Sequence, residues 1–185
     1  MILVALGSNL PFGEQSPVHV LQAALKCFDD SLLKVEQVSR FFATPSFPKG
    51  SGPDFVNATA RICGEMSPRD VLGLLHEIES TFGRTRDKRW GQRTLDLDLL
   101  AFGELVLPNT VVHSEWRLLA PEAQIAHTPG ELILPHPRLQ DRAFVLVPLA
   151  EIAPEWTHPI TQLTVADMLA QIPEEEISQV RALDL

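Results

Sequence analysis

Residues 95–99 read Leu-Asp-Leu-Asp-Leu, an alternation of apolar and charged side chains with a period of two. A helix has no use for such a pattern, because positions two apart do not share a helical face. A strand does, since its side chains point to opposite sides in turn. The run therefore demands a sheet with one leucine face against a core and one carboxylate face left polar. Asp96 and Asp98 emerge side by side, with Cα atoms roughly 6.5–7 Å apart. Like charges at about 6 Å repel by about 2–3 kcal/mol at an effective dielectric near 20. Something on that face has to offset the repulsion.

The segments before this strand follow a β-α-β-β-α order. "ILVALGS" (2–8) reads as a buried strand. Ser16-Pro17 supplies a helix cap and first-turn proline, and Val18, Leu21, Leu25 and Phe28 repeat at helical spacing as far as Asp29. Residues 33–45 have strand composition and end at Thr44-Pro45, and the Gly- and Pro-rich stretch 46–54 is a loop. Residues 55–63 alternate, with Val56, Ala58, Ala60 and Ile62 on one face and Phe55, Asn57, Thr59 and Arg61 on the other. Ser67-Pro68 with Asp70 starts a second helix, Val71, Leu74, Leu75, Ile78 and Phe82 form its stripe, and Gly83 stops it. The whole is the split βαββαβ arrangement, an α+β ferredoxin-like fold with a mostly antiparallel sheet. The first and last strands are expected to be adjacent and central. Beyond Gly103, residues 116–126 read as a short helix interrupted at Pro121, and 142–153 and 164–172 as C-terminal helices. The acidic tail from Glu174 is expected to be loosely held. At 185 residues the chain suits one domain spanning 1–185.

Charge narrows the function. Asp plus Glu number 24 against 15 Lys plus Arg, a net −9 that speaks against nucleic acid and anionic membrane as partners. An anionic ligand must then be met by a local cluster of cations or by a metal. Such a cluster exists: Arg84, Arg86, Lys88, Arg89 and Arg93 fall within ten residues, directly before the paired aspartates. No apolar run is long enough to span a bilayer, and the N-terminus reads as a strand rather than a signal peptide. Cys27 and Cys63 lack metal-site spacing and read as two buried thiols, which fits a cytoplasmic protein.

Guanidinium forks suit phosphate oxygens, and Mg²⁺ needs only one or two carboxylates besides water and substrate phosphates. Cations beside a carboxylate pair thus compose the two halves of a phosphoryl-transfer site. The same residues also admit plain salt bridges between Arg84–Arg93 and Asp87, Asp96 and Asp98. Asn57 next to Phe55 suits a flat heterocycle, or is a satisfied edge-strand amide. "LPHPRLQDRAF" brings His136, Arg138, Arg142 and Phe144 near one another, and no Walker-type loop is present. These residues alone describe a Mg²⁺-dependent phosphoryl-transfer enzyme. A non-catalytic ferredoxin-like ligand-binding module and a Mg²⁺-dependent nucleotide hydrolase are the alternatives.

Four stretches, "VALGSNL", "DFVNATARI", "GRTRDKRWGQRTLDLDLLAFG" and "LPHPRLQDRAFVLVPLAEIAP", resemble in order and spacing the 6-hydroxymethyl-7,8-dihydropterin pyrophosphokinases of folate biosynthesis. The resemblance covers most of residues 3–154. It implies transfer of a pyrophosphoryl group from ATP to the pterin hydroxymethyl oxygen, releasing AMP. By position, Asp96 and Asp98 would hold two Mg²⁺ ions, and Arg84 and Arg86 would act from a loop that closes over the triphosphate. Arg93, His136 and Arg142 would contact phosphates, with Arg86, Glu79 and His76 on the nucleotide side. Phe55 and Phe144 would sandwich the pterin, Asn57 would read its edge, and Trp90, Thr44, Pro45 and Phe47 would line its pocket. A monomer acting on small molecules is expected. This chain departs from the family at Gln92, where proline is usual, and in an apparent insertion over 107–131.

Overall fold

The computed structural model describes residues 1–46, 50, 52–83, 94–120, 123 and 127–185. The chain runs β1 (Ile2–Ser8), α1 (Pro17–Lys26), β2 (Leu33–Val38), β3 (Phe42–Thr44), β4 (Phe55–Gly64), α2 (Pro68–Thr81), β5 (Asp96–Phe102) and α3 (Thr110–Arg117). A single 3-10 turn (Leu139–Asp141) then leads into α4 (Ala143–Ile152), α5 (Val165–Ala170), α6 (Glu174–Ser178) and β6 (Arg181–Ala182). Strands order as β5-β1-β4-β3-β6, with β2 also pairing β4, and every pairing is antiparallel. This is the α+β ferredoxin-like arrangement the sequence implied, with one correction. β1 and β5 are adjacent, but β5 lies at the edge and β4 takes the second central place.

Both helix starts are built as the sequence requires. The Ser16 hydroxyl accepts from His19 N–H, and Ser67 accepts from Asp70 N–H at 3.2 Å while its own hydroxyl donates to the Asp70 carboxylate at 2.6 Å. Gly83 ends α2 with φ +74°, a conformation that favours glycine. These helices cover one sheet face. Val20, Leu21, Phe28, Val71, Leu75 and Ile78 bury against Val4, Leu6, Ile62, Leu95, Leu97 and Leu99. Each such side chain contributes roughly 1.5–3 kcal/mol relative to exposure.

On the opposite face the two ends of the sheet differ. One end is closed by α4 and α5, whose Val145, Leu146, Leu149 and Met168 pack on Leu3, Leu100 and Ala101. Leu99 and Leu100 serve the two cores by strand alternation, and a register shift in the β1–β5 pairing lets consecutive Leu100 and Ala101 share the second one. Arg40 fastens the end of α4: its backbone N–H and its guanidinium both bond Glu151, at 2.8 and 2.7 Å.

Several sequence expectations are corrected. The single strand over 33–45 is two. Ser39 interrupts it, its N–H donating to Thr59 O while its hydroxyl accepts from Thr59 N–H at 3.0 Å. A helix not expected from the sequence, α3, precedes the one expected over 116–126, because the Asn109 side chain caps Val111 and Val112 N–H, both at 3.0 Å; residues 121, 122 and 124–126 of the expected helix lie outside the described residues. Within the apparent insertion, α3 is seated by buried His113, which bonds Pro135 O at 2.9 Å. The acidic tail, expected to be loose, forms α6 and then β6, which pairs with β3; Leu183 N–H also donates to Phe41 O at 2.8 Å. Cys27 and Cys63 are half-buried free thiols rather than buried ones.

Candidate active site

The open end of the second sheet face gathers the polar positions of three strands. Gly7 of β1 lies opposite Asn57 of β4 on one side and Asp96 of β5 on the other, and Ala5 likewise lies between Thr59 and Asp98. The alternation of β4 and β5 therefore delivers Asn57, Asp96 and Asp98 to one surface. The first turn of α4 brings Phe144 to the same place, and Ala5, Gly7, Asn57, Asp96, Asp98 and Phe144 line one depression.

Gly7 is its floor, and the sequence reading passed over it. A Cβ there would come 3.1 Å from Asn57 Oδ1 and 3.9 Å from Phe55 Cδ1, so any larger residue would fill the space between them. The signal was present, since Ala5 and Gly7 interrupt the large apolar residues of β1 two positions apart, on one face. Asn57 is buried, and its Nδ2 donates to the buried Thr44 hydroxyl at 2.7 Å. With that amide orientation, Oδ1 faces the depression as an acceptor. Phe55 and Pro45 are half-buried beside it, and Phe144 is exposed.

The phosphate-facing candidates come from the segment before α4. Arg142 lies 3.5 Å from Asp98, and its guanidinium carbon stands 5.5 Å from the Phe144 ring centroid. An ion pair this long and partly exposed is weak and leaves most of the Asp98 carboxylate's acceptor capacity unused. Half-buried His136 accepts from Arg138 N–H at Nδ1, at 3.1 Å, which puts the proton of the neutral ring on Nε2. Burial, reinforced by the charges of Arg142 and Arg138, holds its pKa down to about 3 against the opposing pull of Asp96. His136 is therefore a neutral Nε2–H donor. Arg138 was noted in the sequence without a role; burial and Arg142 depress its pKa, and its buried Nε finds no partner. Two guanidinium groups that repel one another favour an anion between them.

Glu79 is buried, and its carboxylate accepts from Leu97 N–H at 2.7 Å, on the side of β5 that no strand covers. Leu100 O on the same strand accepts from His136 N–H at 2.7 Å. Glu79 and the His136 backbone thus satisfy the free edge of the strand that carries the aspartates. His76 sits half-buried one turn before Glu79 on α2. Arg84, Arg86, Trp90, Gln92, Arg93 and Phe47 lie outside the described residues. The flanks of the basic segment are tied together, since the Thr94 hydroxyl donates to Phe82 O at 2.6 Å.

Among the described residues no three His, Cys, Asp or Glu side chains converge as a metal site. Asp96 and Asp98 on one face, both half-exposed, nevertheless fit Mg²⁺, which completes its shell with water and substrate phosphate.

Comparison with known proteins decides the family. Residues 3–154 match the family model described as 7,8-dihydro-6-hydroxymethylpterin-pyrophosphokinase. The chain belongs to this family. A Haemophilus influenzae 2-amino-4-hydroxy-6-hydroxymethyldihydropteridine pyrophosphokinase is 35% identical over 175 residues, 94% of either chain. The Pseudomonas aeruginosa protein of the same name is 36% identical over 180 residues, 97% of this chain and 96% of that one. Among solved structures, wild-type Plasmodium falciparum HPPK-DHPS shares the fold, with a TM-score of 0.60 at 14% identity over 92% of this chain. The chain spans 44% of that longer protein. Membership makes the protein an enzyme of folate biosynthesis, a pyrophosphokinase with ATP as co-substrate.

Proposed function

We propose that the open end of the sheet face is where 6-hydroxymethyl-7,8-dihydropterin accepts the pyrophosphoryl group of ATP, and that the residues gathered there divide the work. One observation supports this reading above the rest: Gly7 leaves a gap whose walls are Asn57, Phe55, Asp96 and, within the same depression, Phe144. A flat ring fits between Phe55 and Phe144, and the Asn57 carbonyl, oriented by Thr44, accepts from an N–H at the ring edge. Pro45 adds to the wall beside Thr44, and Phe47 and Trp90, outside the described residues, would contribute to pterin binding as the family resemblance implies.

The hydroxymethyl group then points toward Asp96 and Asp98. Mg²⁺, two ions in this reading, would be held by these two carboxylates and would supply charge neutralisation across the triphosphate and the acceptor oxygen. His136 donates its Nε2–H to a phosphate oxygen, and Arg142 and Arg138 supply cationic charge beside it. Arg93, Arg84 and Arg86, outside the described residues, would supply further cationic charge to the triphosphate as the family resemblance implies. Glu79, with His76 on the nucleotide side, acts by holding β5 in place through Leu97. The acceptor oxygen forms a bond to the β-phosphorus, the bond from that phosphorus to the α-bridging oxygen breaks, AMP leaves, and the hydroxyl proton is lost to solvent. No side chain is assigned as a general base. Positioning and charge stabilisation carry the rate, and shielding from water suppresses hydrolysis. The same reading has the enzyme work as a cytoplasmic monomer on small molecules.

A product assay tests this. With ATP, Mg²⁺ and the pterin, AMP should appear one-for-one with the pterin diphosphate. ADP and free phosphate, or AMP without pterin product, would reject the reading in favour of a nucleotide hydrolase.

A further inference from the structure

α3 is docked by an unusual side chain. Among its eight described residues His113 alone is fully buried, while Val111 and Leu118 are 66% and 70% exposed. A helix held by hydrophobic contact would turn the valine and the leucine inward. An imidazole is costly to bury unless its nitrogens find partners. His113 Nε2 finds one, donating to Pro135 O at 2.9 Å. A carbonyl only accepts, which fixes the ring's proton on Nε2. Burial lowers the pKa of His113, the Pro135 bond opposes it and the charge of Arg117 adds to it, so the ring is uncharged at neutral pH.

That bond reaches the candidate active site through one peptide. The Pro135 carbonyl and the His136 N–H lie in the same planar unit. Its oxygen is held by His113, and its N–H donates to Leu100 O at 2.7 Å, on the strand that carries Asp96 and Asp98. The plane is thus gripped on both sides, once from the apparent insertion and once from β5. Leu134 and Leu107 exchange both backbone bonds, at 2.9 and 3.2 Å, and tie the same stretch to the start of the insertion. Behind His113 stand His158, with ring centroids 5.6 Å apart, and then Trp156, 5.8 Å from His158. Ile160 and Thr161 N–H hold His158 at Nδ1, and Trp156 Nε1 donates to Gly103 O at 3.0 Å, so His113 is backed by rings that are themselves fixed. We propose that His113 is a positioning residue for the phosphate contact of His136: through the Pro135 carbonyl, the apparent insertion aims the His136 Nε2–H. The premise is the phosphate contact given to His136 in the proposed reaction.

The test combines steady-state kinetics with imidazole ¹⁵N NMR on the whole chain. His113→Leu fills the site with an apolar side chain and removes the donor. Its KM for ATP should rise roughly tenfold, while the pterin KM stays within about twofold of the parent. His113→Gln, which can present an amide N–H in place of Nε2–H, should recover most of that loss. In the parent, His113 and His136 should both appear as neutral Nε2–H tautomers. His113→Leu should shift the His136 ring nitrogens, and His113→Gln should leave them near their parent positions. Should His113→Leu fail to fold, His113→Asn, whose shorter amide does not reach Pro135, takes its place. An unchanged KM for ATP, an equal rise in both KM values, or an Nδ1–H tautomer at His113 would overturn the proposal. A parent that makes no pterin diphosphate would instead count against the proposed function. The His136 ring would then still decide the positioning: a shift with His113→Leu supports it, and an unmoved ring overturns it.

Discussion

One face of one sheet is treated in two ways along its length. At one end Leu3, Leu100 and Ala101 are fully buried under α4 and α5. At the other, the same strands present Ala5, Gly7, Asp96 and Asp98, and among the described residues no helix covers them fully. Two pleats along β1, a large apolar residue gives way to small ones, and along β5 leucine gives way to aspartate. The difference teaches that the site is made by subtraction. The same strands run through both ends, with a register shift in the β1–β5 pairing between them, while the side chains that would have completed a core are replaced by a gap, an amide and two carboxylates. The closed end then carries the stability that the open end gives up, since half-exposed like charges and an uncovered sheet face contribute little to folding.

Substitutions at the two ends should accordingly separate activity from stability. The largest effect is expected from Asp98→Asn, with turnover falling on the order of 10²–10³-fold in a product assay. Its melting temperature should stay near that of the parent, because Asp98 is half-exposed and its ion pair with Arg142 is long. Leu3→Ala, at the closed end, should do the opposite. Unfolding free energy should drop by about 2–5 kcal/mol in urea titrations, while turnover per folded molecule is kept. If Leu3→Ala instead abolished turnover in the folded protein, the division between the ends would fail.

Acid should act on both ends through their histidines. Burial, with smaller contributions from His113 and Arg117, holds the His158 pKa at about 4, and His136 stands at about 3. Both values lie below that of the unfolded chain, so the unfolded state binds protons first as pH falls. Stability is therefore full above about pH 6.5 and declines below it, by at most about 1.4 kcal/mol per pH unit for each histidine. The decline ends near pH 4 for His158 and near pH 3 for His136. Urea midpoints between pH 7 and 4.5 would show the slope, and His158→Gln should flatten it. The smallest effect is Gly7→Ala. The added methyl meets Asn57 Oδ1 at 3.1 Å, so the pterin KM should rise about tenfold, equivalent to about 1.4 kcal/mol, with ATP affinity unchanged.

Legibility in the sequence divides by mechanism. β1, β4, β5 and both sheet-covering helices were readable because each is specified locally, by a two-residue alternation or by a serine cap and an apolar stripe. The break between β2 and β3 was not, because it depends on the Ser39 hydroxyl replacing a backbone acceptor across the sheet. The place of α3 was missed although Asn109 is a good cap, since the reading gave weight to the apolar residues further on. Docking of the acidic tail depends on a distant partner, β3, that no local pattern reveals. At the site, alternation alone brought Asn57, Asp96 and Asp98 to a common polar face. Gly7 escaped because its contribution is the absence of a side chain, and the link from Glu79 to Leu97 escaped because it joins two elements with the basic segment between them.

The central claim is that the open end, and not the closed one, receives both substrates. Amide chemical-shift mapping with the pterin, Mg²⁺ and a non-transferable ATP analogue tests it directly. The account predicts large perturbations at Gly7, Asn57, Asp96, Asp98 and Arg142, with Leu3, Ala101 and Val165 little changed. Perturbations centred on the closed end, or none at Gly7 and Asn57 under saturating ligand, would contradict it.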